Sequence, residues 1–430
     1  MSQAYEYFKN KRVLILGFGR EGRSTYNYIR KYLPDMPLAI ADQNHINLED
    51  ENTTLICGHE YMSVVNDYDI IMKSPGISVR DVSIDEKVVV TCQMELFLKF
   101  ALCKKIGVTG TKGKTTTSTL IYKMLKSAGI DACLIGNIGV PVFEKLDDSR
   151  GMVAVIEMSS HQLEFVRTSP DVAVITNIYP EHLDHYKGFD GYVNAKLNIL
   201  RYQTSQDVLI SNADQKIMDF TDIQIKAKHI QISVNDDEEN EFLSKLARLN
   251  ANLKGRHNAQ DIFFAAATAS IVGASNEAIE KGVAEFYGIP HRMELVGEFR
   301  GIKFYNDCIA TIPTAVMLAV DALEDVDTLI IGGMDRGLDY TDFITKLVDS
   351  KISNIICLPD TGYKIGKELE KLNKNNVFFA DDMQKAVEIS FAKTAKGKSC
   401  LLSPAASSYN CYKNFEEKGN HFKELVKAFK

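Results

Sequence analysis

Residues 105–125 constrain the fold more than any other stretch of this 430-residue chain. An apolar, β-prone lead-in, Lys105 to Val108, runs into a loop containing Gly110, Thr111, Lys112 and Gly113. Lys114, Thr115 and Thr116 then open a helical pattern, with Leu120, Ile121, Met124 and Leu125 on one face and Gly129 placed to end it. Strand, glycine loop and helix in that order form a cradle for nucleotide phosphates. Backbone N–H groups turn inward, the helix N-terminus adds partial positive charge, Lys114 reaches the terminal phosphates, and the Thr115 hydroxyl can ligate Mg²⁺. The usual spacing puts a first glycine at position 108, where this chain has Val108. On this stretch alone a plain strand-to-helix turn stays open.

The remaining pattern repeats the same architecture. The expected fold is α/β: three consecutive α/β domains at 1–97, 98–290 and 291–430, because helical patterns alternate with β-branched runs. The first and third are expected to be Rossmann-like, and the second a mostly parallel ATPase-type sheet. In the first, the strand Arg12–Leu16 leads into Gly17, Phe18, Gly19, Arg20 and Gly22, and a second strand ends in Asp42. This is a dinucleotide-type fingerprint with a ribose-binding acid, although the glycines could serve helix–sheet packing alone. Ser74, Pro75 and Gly76 make a tight turn at the end of another strand, where ligands sit in open α/β sheets. Residues 213–250 turn polar and read as a solvated excursion, and 261–272 as an alanine-rich buried helix.

Composition removes several function classes. A net charge of −7 gives no electrostatic footing for general nucleic-acid or membrane-surface binding. The eight cysteines include no CxxC pair, which favours free thiols in a reducing compartment. The N-terminal segment lacks a signal-peptide core, and no run approaches a membrane-spanning length. A cytoplasmic protein is expected, acting as a monomer, with no nucleic-acid or membrane partner.

In the central segment two strands run into polar clusters, one starting at Glu157 and one containing His182 and His185. An acid, an imidazole and the Thr115 hydroxyl at equivalent strand ends would make a Mg²⁺-dependent ATP site. A His182–His185 zinc pair is the weaker alternative, with no cysteine or third ligand nearby. Lys196 reads as a helix-surface lysine.

The motifs taken in order carry more than any one of them. They are Thr109–Thr115, Asn137–Pro141, Glu157–Glu164, Asn177 with His182 and Asp184, Lys196, His257-Asn258, His291-Arg292, Asn306-Asp307, and Ser403–Phe415. This series resembles the Mur ligase family over residues 13 to 420, most of all the branch that adds glutamate to UDP-N-acetylmuramoyl-L-alanine. The resemblance implies that Gly17, Phe18, Gly19, Arg20, Gly22, Asp42, Ser74, Pro75 and Gly76 hold the UDP substrate rather than NAD. It implies an ATP site of Gly110 to Thr116, Asn137, Asn258, Arg292 and Asp307. Thr115, Glu157, His182 and a carbamylated Lys196 would hold two Mg²⁺ ions, with Lys114, His182 and Lys196 catalytic. Thr311, Arg336, Ser408, Tyr409 and Phe415 would receive the amino acid, and domain closure would exclude water.

Two departures bear on that amino acid. Family members often have a lysine where this chain has Ile309, and a Gly-Gly-Asp-Gly-Lys run where it has Gly332 to Arg336. Arg336 still offers a two-pronged grip on a carboxylate. D-glutamate is the leading expectation, and L-glutamate or another acidic amino acid the alternative. A folylpolyglutamate-type synthase fits less well, since that family starts with the ATPase domain. An NAD-dependent oxidoreductase leaves Glu157, His182 and Lys196 idle, and a non-catalytic nucleotide sensor would need none of them.

Overall fold

Runs of buried β-branched residues separated by amphipathic helices give three open sheets, seen in a computed structural model that describes residues 4–181, 183–215, 223–235, 240–250, 256–286, 288–335 and 337–429. The first sheet holds β1 (Val13–Leu16), β2 (Leu38–Asp42), β3 (Thr53–Cys57), β4 (Ile70–Lys73) and β5 (Val89–Thr91). All pair in parallel, in the order β3-β2-β1-β4-β5. Alternate strand residues bury on opposite faces: Leu14, Leu16, Ala39 and Ile71 on one, Val13, Ile15, Ile40 and Met72 on the other. A parallel sheet covered on both faces needs such unbroken apolar strands. Helix α1 (Arg20–Tyr32) links β1 to β2, and α2 (Gln93–Phe100) leads onward.

The second sheet takes β6 (Lys104–Thr109), β7 (Ala132–Gly136), β8 (Val153–Glu157), β9 (Val172–Ile175), β10 (Val208–Asn212) and β11 (Lys228–Ile232). Its order is β11-β10-β9-β6-β8-β7, again parallel throughout. Helices α3 (Lys114–Ser127), α4 (Ser160–Leu163), α5 (Leu183–Tyr186), α6 (Phe189–Arg201), α7 (Glu241–Leu249), α8 (Arg256–Ile271) and α9 (Asn276–Ala284) accompany it. One apolar cluster runs from Val13 and Ile40 of the first sheet to Ala154 and Ile175 of the second. The two sheets accordingly form one compact unit, Met1–Phe286.

The second unit, Tyr287–Lys430, is built on the third sheet. It comprises β12 (Glu294–Phe299), β13 (Ile302–Asn306), β14 (Val326–Ile331), β15 (Asn354–Cys357), β16 (Val377–Phe379) and β17 (Ser399–Leu402), in the order β12-β13-β17-β14-β15-β16. Only β12, at the edge, is antiparallel. Helices α10 (Pro313–Leu323), α11 (Thr341–Asp349), α12 (Thr361–Lys371), α13 (Met383–Lys393) and α14 (Phe415–Ala428) complete it.

The polar stretch 213–250 is not simply a solvated excursion. It contains β11, which pairs in full register with β10, and α7. Strand β11 is an edge strand with Lys228 and Gln231 exposed and Ile232 buried, so its polar side chains disguise it. Among the described residues no helix is long and apolar enough to cross a membrane.

Candidate active site

Strand register sets the site. Val108 of β6 and Gly136 of β7 both stand opposite Glu157 of β8, and Thr109 stands opposite Ile175 of β9. Four neighbouring strands therefore end level, and the residues that follow them share one edge of the sheet. Val108 is fully buried inside β6, so that position needs a side chain and the loop turns only afterwards. It turns at Gly110 (φ 153°) and Gly113 (φ 82°). A Cβ at Gly110 would lie 1.9 Å from Thr176 Oγ1, and one at Gly113 2.3 Å from Asp261 Oδ1. Glycine is required at both.

The loop is braced from behind. The Asn177 side chain accepts the Lys112 N–H at 2.8 Å and donates to the Lys112 carbonyl at 3.1 Å. Thr176 Oγ1 donates to the same carbonyl at 2.6 Å, and the Thr111 N–H reaches the Asn177 carbonyl at 2.8 Å. Lys112 itself is exposed and pairs with Glu181 at 2.8 Å. The bracing leaves the first turn of α3, with Lys114, Thr115 and half-buried Thr116, to present its backbone N–H groups. Neither Asn177 nor Asp261 has a role in the sequence reading. Asn177 stands in the motif series without a role, and the bracing by either residue shows only once β9 and α8 are placed beside the loop.

Two lysines meet at Gly110. Lys114 Nζ donates to the Gly110 and Thr111 carbonyls, each at 2.9 Å. Lys196 Nζ, from α6, donates to the Gly110 carbonyl at 2.7 Å. Lys196 is only 1% exposed, which corrects its reading as a helix-surface residue. Tyr192, Val193, Leu197 and Leu200 are also buried, so Lys196 occupies the apolar face of its helix. That periodicity was the available signal. Its ammonium lies 4.8 Å from the centre of the Tyr192 ring, whose hydroxyl bonds Thr111 Oγ1 at 2.9 Å. Burial first, and then the charge of Lys114, hold Lys196 well below the ordinary lysine range.

Glu157 is buried at the end of β8, with Oε1 accepting from Asn137 Nδ2 at 2.6 Å. Among the described residues its Oε2 has no hydrogen-bond partner. A buried carboxylate oxygen without a donor is costly, and a hard cation would satisfy it. With the Thr115 hydroxyl on the same sheet edge, the donors fit Mg²⁺. His182 lies outside the described residues, and α5 begins one residue later. His185 faces Glu164 at 3.4 Å instead of a metal cluster, and no group of three or more His, Cys, Asp or Glu side chains suited to a metal occurs among the described residues.

A cleft of about 310 Å³ joins this edge to the first sheet: Pro75 and Gly76 line one side, and Lys114, Asn137, Tyr192 and Lys196 the other. Ser74 Oγ donates to the Gly17 carbonyl at 2.8 Å, and the Phe18 N–H donates to Asp42 Oδ2 at 2.7 Å. A Cβ at Gly22 would lie 2.1 Å from the Gly17 oxygen, so close helix packing is one reason for that glycine. At Gly19 nothing would meet a Cβ, which leaves that side of the turn open. The Arg20 guanidinium donates to the Gly139 carbonyl.

Comparison with known proteins identifies the family. The Mur ligase middle domain matches residues 108–271, and the Mur ligase glutamate ligase domain matches 291–406. The UDP-N-acetylmuramoylalanine–D-glutamate ligase of Acetivibrio thermocellus is 32% identical over 98% of this chain and 97% of its own. The enzyme of the same name from Clostridium acetobutylicum is 32% identical over 99% and 98%. The chain belongs to the Mur ligase family. The crystal structure of the UDP-N-acetylmuramate–alanine ligase of Thermotoga maritima shares the fold, with a TM-score of 0.53 at 17% identity, covering 98% of this chain and all of that one. E. coli FolC bound to ADP gives the same score at 18% identity but covers 78% of this chain and 93% of its own.

In this Mur ligase β13, β17 and β14 are neighbours in the sheet of the second unit, so the segments that follow β13 and β17, which carry Asp307 and Ser408, leave from adjacent strands. Asp307 follows β13, accepting from the Met293 N–H at 3.1 Å and from Ser403 Oγ at 2.8 Å. Burial pushes its carboxyl up to about 6. Arg292 is exposed, and Thr311 half-buried. The Met334 N–H reaches the Ser407 carbonyl at 2.7 Å, tying the loop after β14 to the segment after β17. Ser408 in that segment is buried, and its hydroxyl has no partner among the described residues. Tyr409 is exposed, and Phe415 meets the His291 ring edge-on at 5.8 Å. Arg336 lies outside the described residues. In the first unit, Asn258 is half-buried in the first turn of α8.

Proposed function

We propose that this Mur ligase joins D-glutamate to UDP-N-acetylmuramoyl-L-alanine at the expense of ATP, as a cytoplasmic monomer serving peptidoglycan precursor synthesis. The observation that carries the reading is the cleft in which Pro75 and Gly76 face Lys114, Lys196 and the Glu157 edge. It can hold a carboxylate beside a terminal phosphate. The choice of D-glutamate rests on the named relatives.

The work divides along the chain. Residues 1–97 take the UDP substrate through the turns at Gly17–Gly22 and Ser74–Gly76. Residues 98–290 take ATP phosphates through Gly110–Thr116, with Asn137 and Asn258. Residues 291–430 take the amino acid through Thr311, Arg336, Ser408, Tyr409 and Phe415, with Arg292 and Asp307 assigned to ATP.

In the reaction, the alanine carboxylate attacks the γ-phosphorus, ADP leaves, and an acyl phosphate forms. Lys114 and the N–H groups of the first turn of α3 lie where charge builds on the transferred group. The free amine of glutamate then attacks the acyl carbon and phosphate departs. Buried Lys196 is held toward its neutral amine, the form that adds CO₂ and releases a proton to become a carbamate. Thr115, Glu157, His182 and that carbamate would hold two Mg²⁺, which when bound neutralise the growing charge.

Ile309, standing where related enzymes often have lysine, favours one alternative, the same ligation with L-glutamate or another acidic amino acid. Phosphate release from ATP separates the readings when measured with or without UDP-N-acetylmuramoyl-L-alanine, crossed with each glutamate enantiomer. Release only with the muramoyl substrate plus D-glutamate is expected. Release with the L enantiomer alone would overturn the D assignment, and no stimulation by either would overturn the ligase.

A further inference from the structure

One carboxylate outside the reaction links three segments, two of which line the cleft. Glu164 directly follows α4, and its side chain is 9% exposed. Its Oε1 accepts from Arg80 Nε at 2.9 Å. Its Oε2 lies 3.6 Å from Lys73 Nζ and 3.4 Å from His185 Nε2.

The partners lead to two other segments, Lys73 to the turn after β4, and Arg80 and His185 to α5. Lys73 ends β4 in the first sheet, its side chain 1% exposed, and its ammonium also donates to the Ser74 and Pro75 carbonyls at 3.3 Å each. Those carbonyls are the backbone of the turn that brings Pro75 and Gly76 to the cleft. Arg80 Nη1 donates to the Tyr186 carbonyl at 3.0 Å, and its guanidinium lies over the Tyr186 ring at 4.7 Å. Tyr186 and His185 belong to α5, which begins beside His182. The third segment is the one that carries Glu164 itself, whose Ser159, Ser160 and His161 line the cleft.

Geometry of this kind stiffens more than it stabilises. A buried ion pair costs desolvation and returns it only when every partner is placed, so it acts as a registration device. Burial pulls Lys73 below the ordinary lysine range, and Glu164 is the first group that opposes this. Without the carboxylate, the Lys73 ammonium would lose its nearest counter-charge, and the turn it holds would have no fixed distance from α5.

We propose that Glu164 is a positioning residue that sets the spacing between the Ser74–Gly76 turn and the α4 and α5 edge, and thereby the placement of the muramoyl carboxylate. The kinetic part rests on the function proposed above; the structural part does not.

Hydrogen exchange on the ligand-free chain tests the structural part. The reporters are the Ile77 N–H, bonded to the Ser74 carbonyl at 3.1 Å, and the Gly188 N–H, bonded to the Leu183 carbonyl at 3.0 Å. In Glu164→Gln both should exchange about tenfold faster or more, while amides of β6 and α3 keep their wild-type rates. Unchanged reporters, or loosening of the whole unit alike, would overturn the proposal. If that variant does not fold, Arg80→Gln replaces it: Gly188 should then loosen and Ile77 should not, and loosening of neither would overturn the linkage.

Steady-state kinetics test the other part. Glu164→Gln should raise KM for UDP-N-acetylmuramoyl-L-alanine about tenfold and leave KM for ATP within about twofold, with Glu164→Asp recovering part of the loss. A change confined to thermal stability would overturn the positioning role. A wild-type chain without ligase activity would instead overturn the proposed function, and the exchange experiment would still decide the linkage.

Discussion

A lysine that is 1% exposed has given up most of its hydration, and the Lys196 ammonium receives in return the Gly110 carbonyl and the face of Tyr192. That exchange is poor for a cation and good for a neutral amine. The helical spacing of buried Tyr192, Val193, Leu197 and Leu200 around Lys196 was the one residue-level signal. Propensity treats a helical lysine as solvated, and only the ordered resemblance singled out Lys196. Val108 shows the opposite case. Its departure from the usual loop spacing is a property of β6, which must fill its buried face there. Lys196→Ala should lose about a hundredfold or more in kcat with stability nearly unchanged, and added acetate should restore part of it, because a small carboxylate can enter the vacated space. Full activity in that variant would remove the carbamate from the mechanism.

At the scale of elements, the phosphate loop is held by the helices and strands behind it as much as by its own glycines. Asp261 of α8 packs against Gly113 and accepts from Thr117 Oγ1 at 3.2 Å. Burial pushes its carboxyl up to about 7, from 3.8 for an ordinary aspartate. Because the folded value is the higher one, its contribution to stability is complete below about pH 4 and is lost as pH rises through about 7. Asp261→Asn should therefore match the wild type near pH 4 and become the more stable protein as pH rises to about 8, by on the order of 4 kcal/mol. Thermal melts across that range check this, and a pH-independent gap would contradict it. Strand and helix types were legible wherever apolar runs were unbroken, as in β1, β8 and β14. Edge strand β11 was not, because its outward residues are polar, and α7 was lost in the same stretch.

Across the whole molecule, the α/β class and the level strand ends follow from the sequence pattern, because parallel strands buried on both faces announce themselves. The compact units do not follow from it. Whether two sheets share a core depends on side chains far apart in the chain, such as Ile40 and Ile175, which belong to one apolar cluster. The same holds for the cleft, whose walls come from residues 75–76, 114, 137, 192 and 196. In the proposed reaction this cleft activates a carboxylate instead of a water molecule. The direct measurement supplies UDP-N-acetylmuramoyl-L-alanine with heavy oxygen in its free carboxylate and analyses the released phosphate by mass. One labelled oxygen per phosphate is predicted, since the oxygen that attacks the γ-phosphorus leaves with it. Phosphate free of label, with its new oxygen drawn from solvent, would mean that water and not the carboxylate attacks the γ-phosphorus.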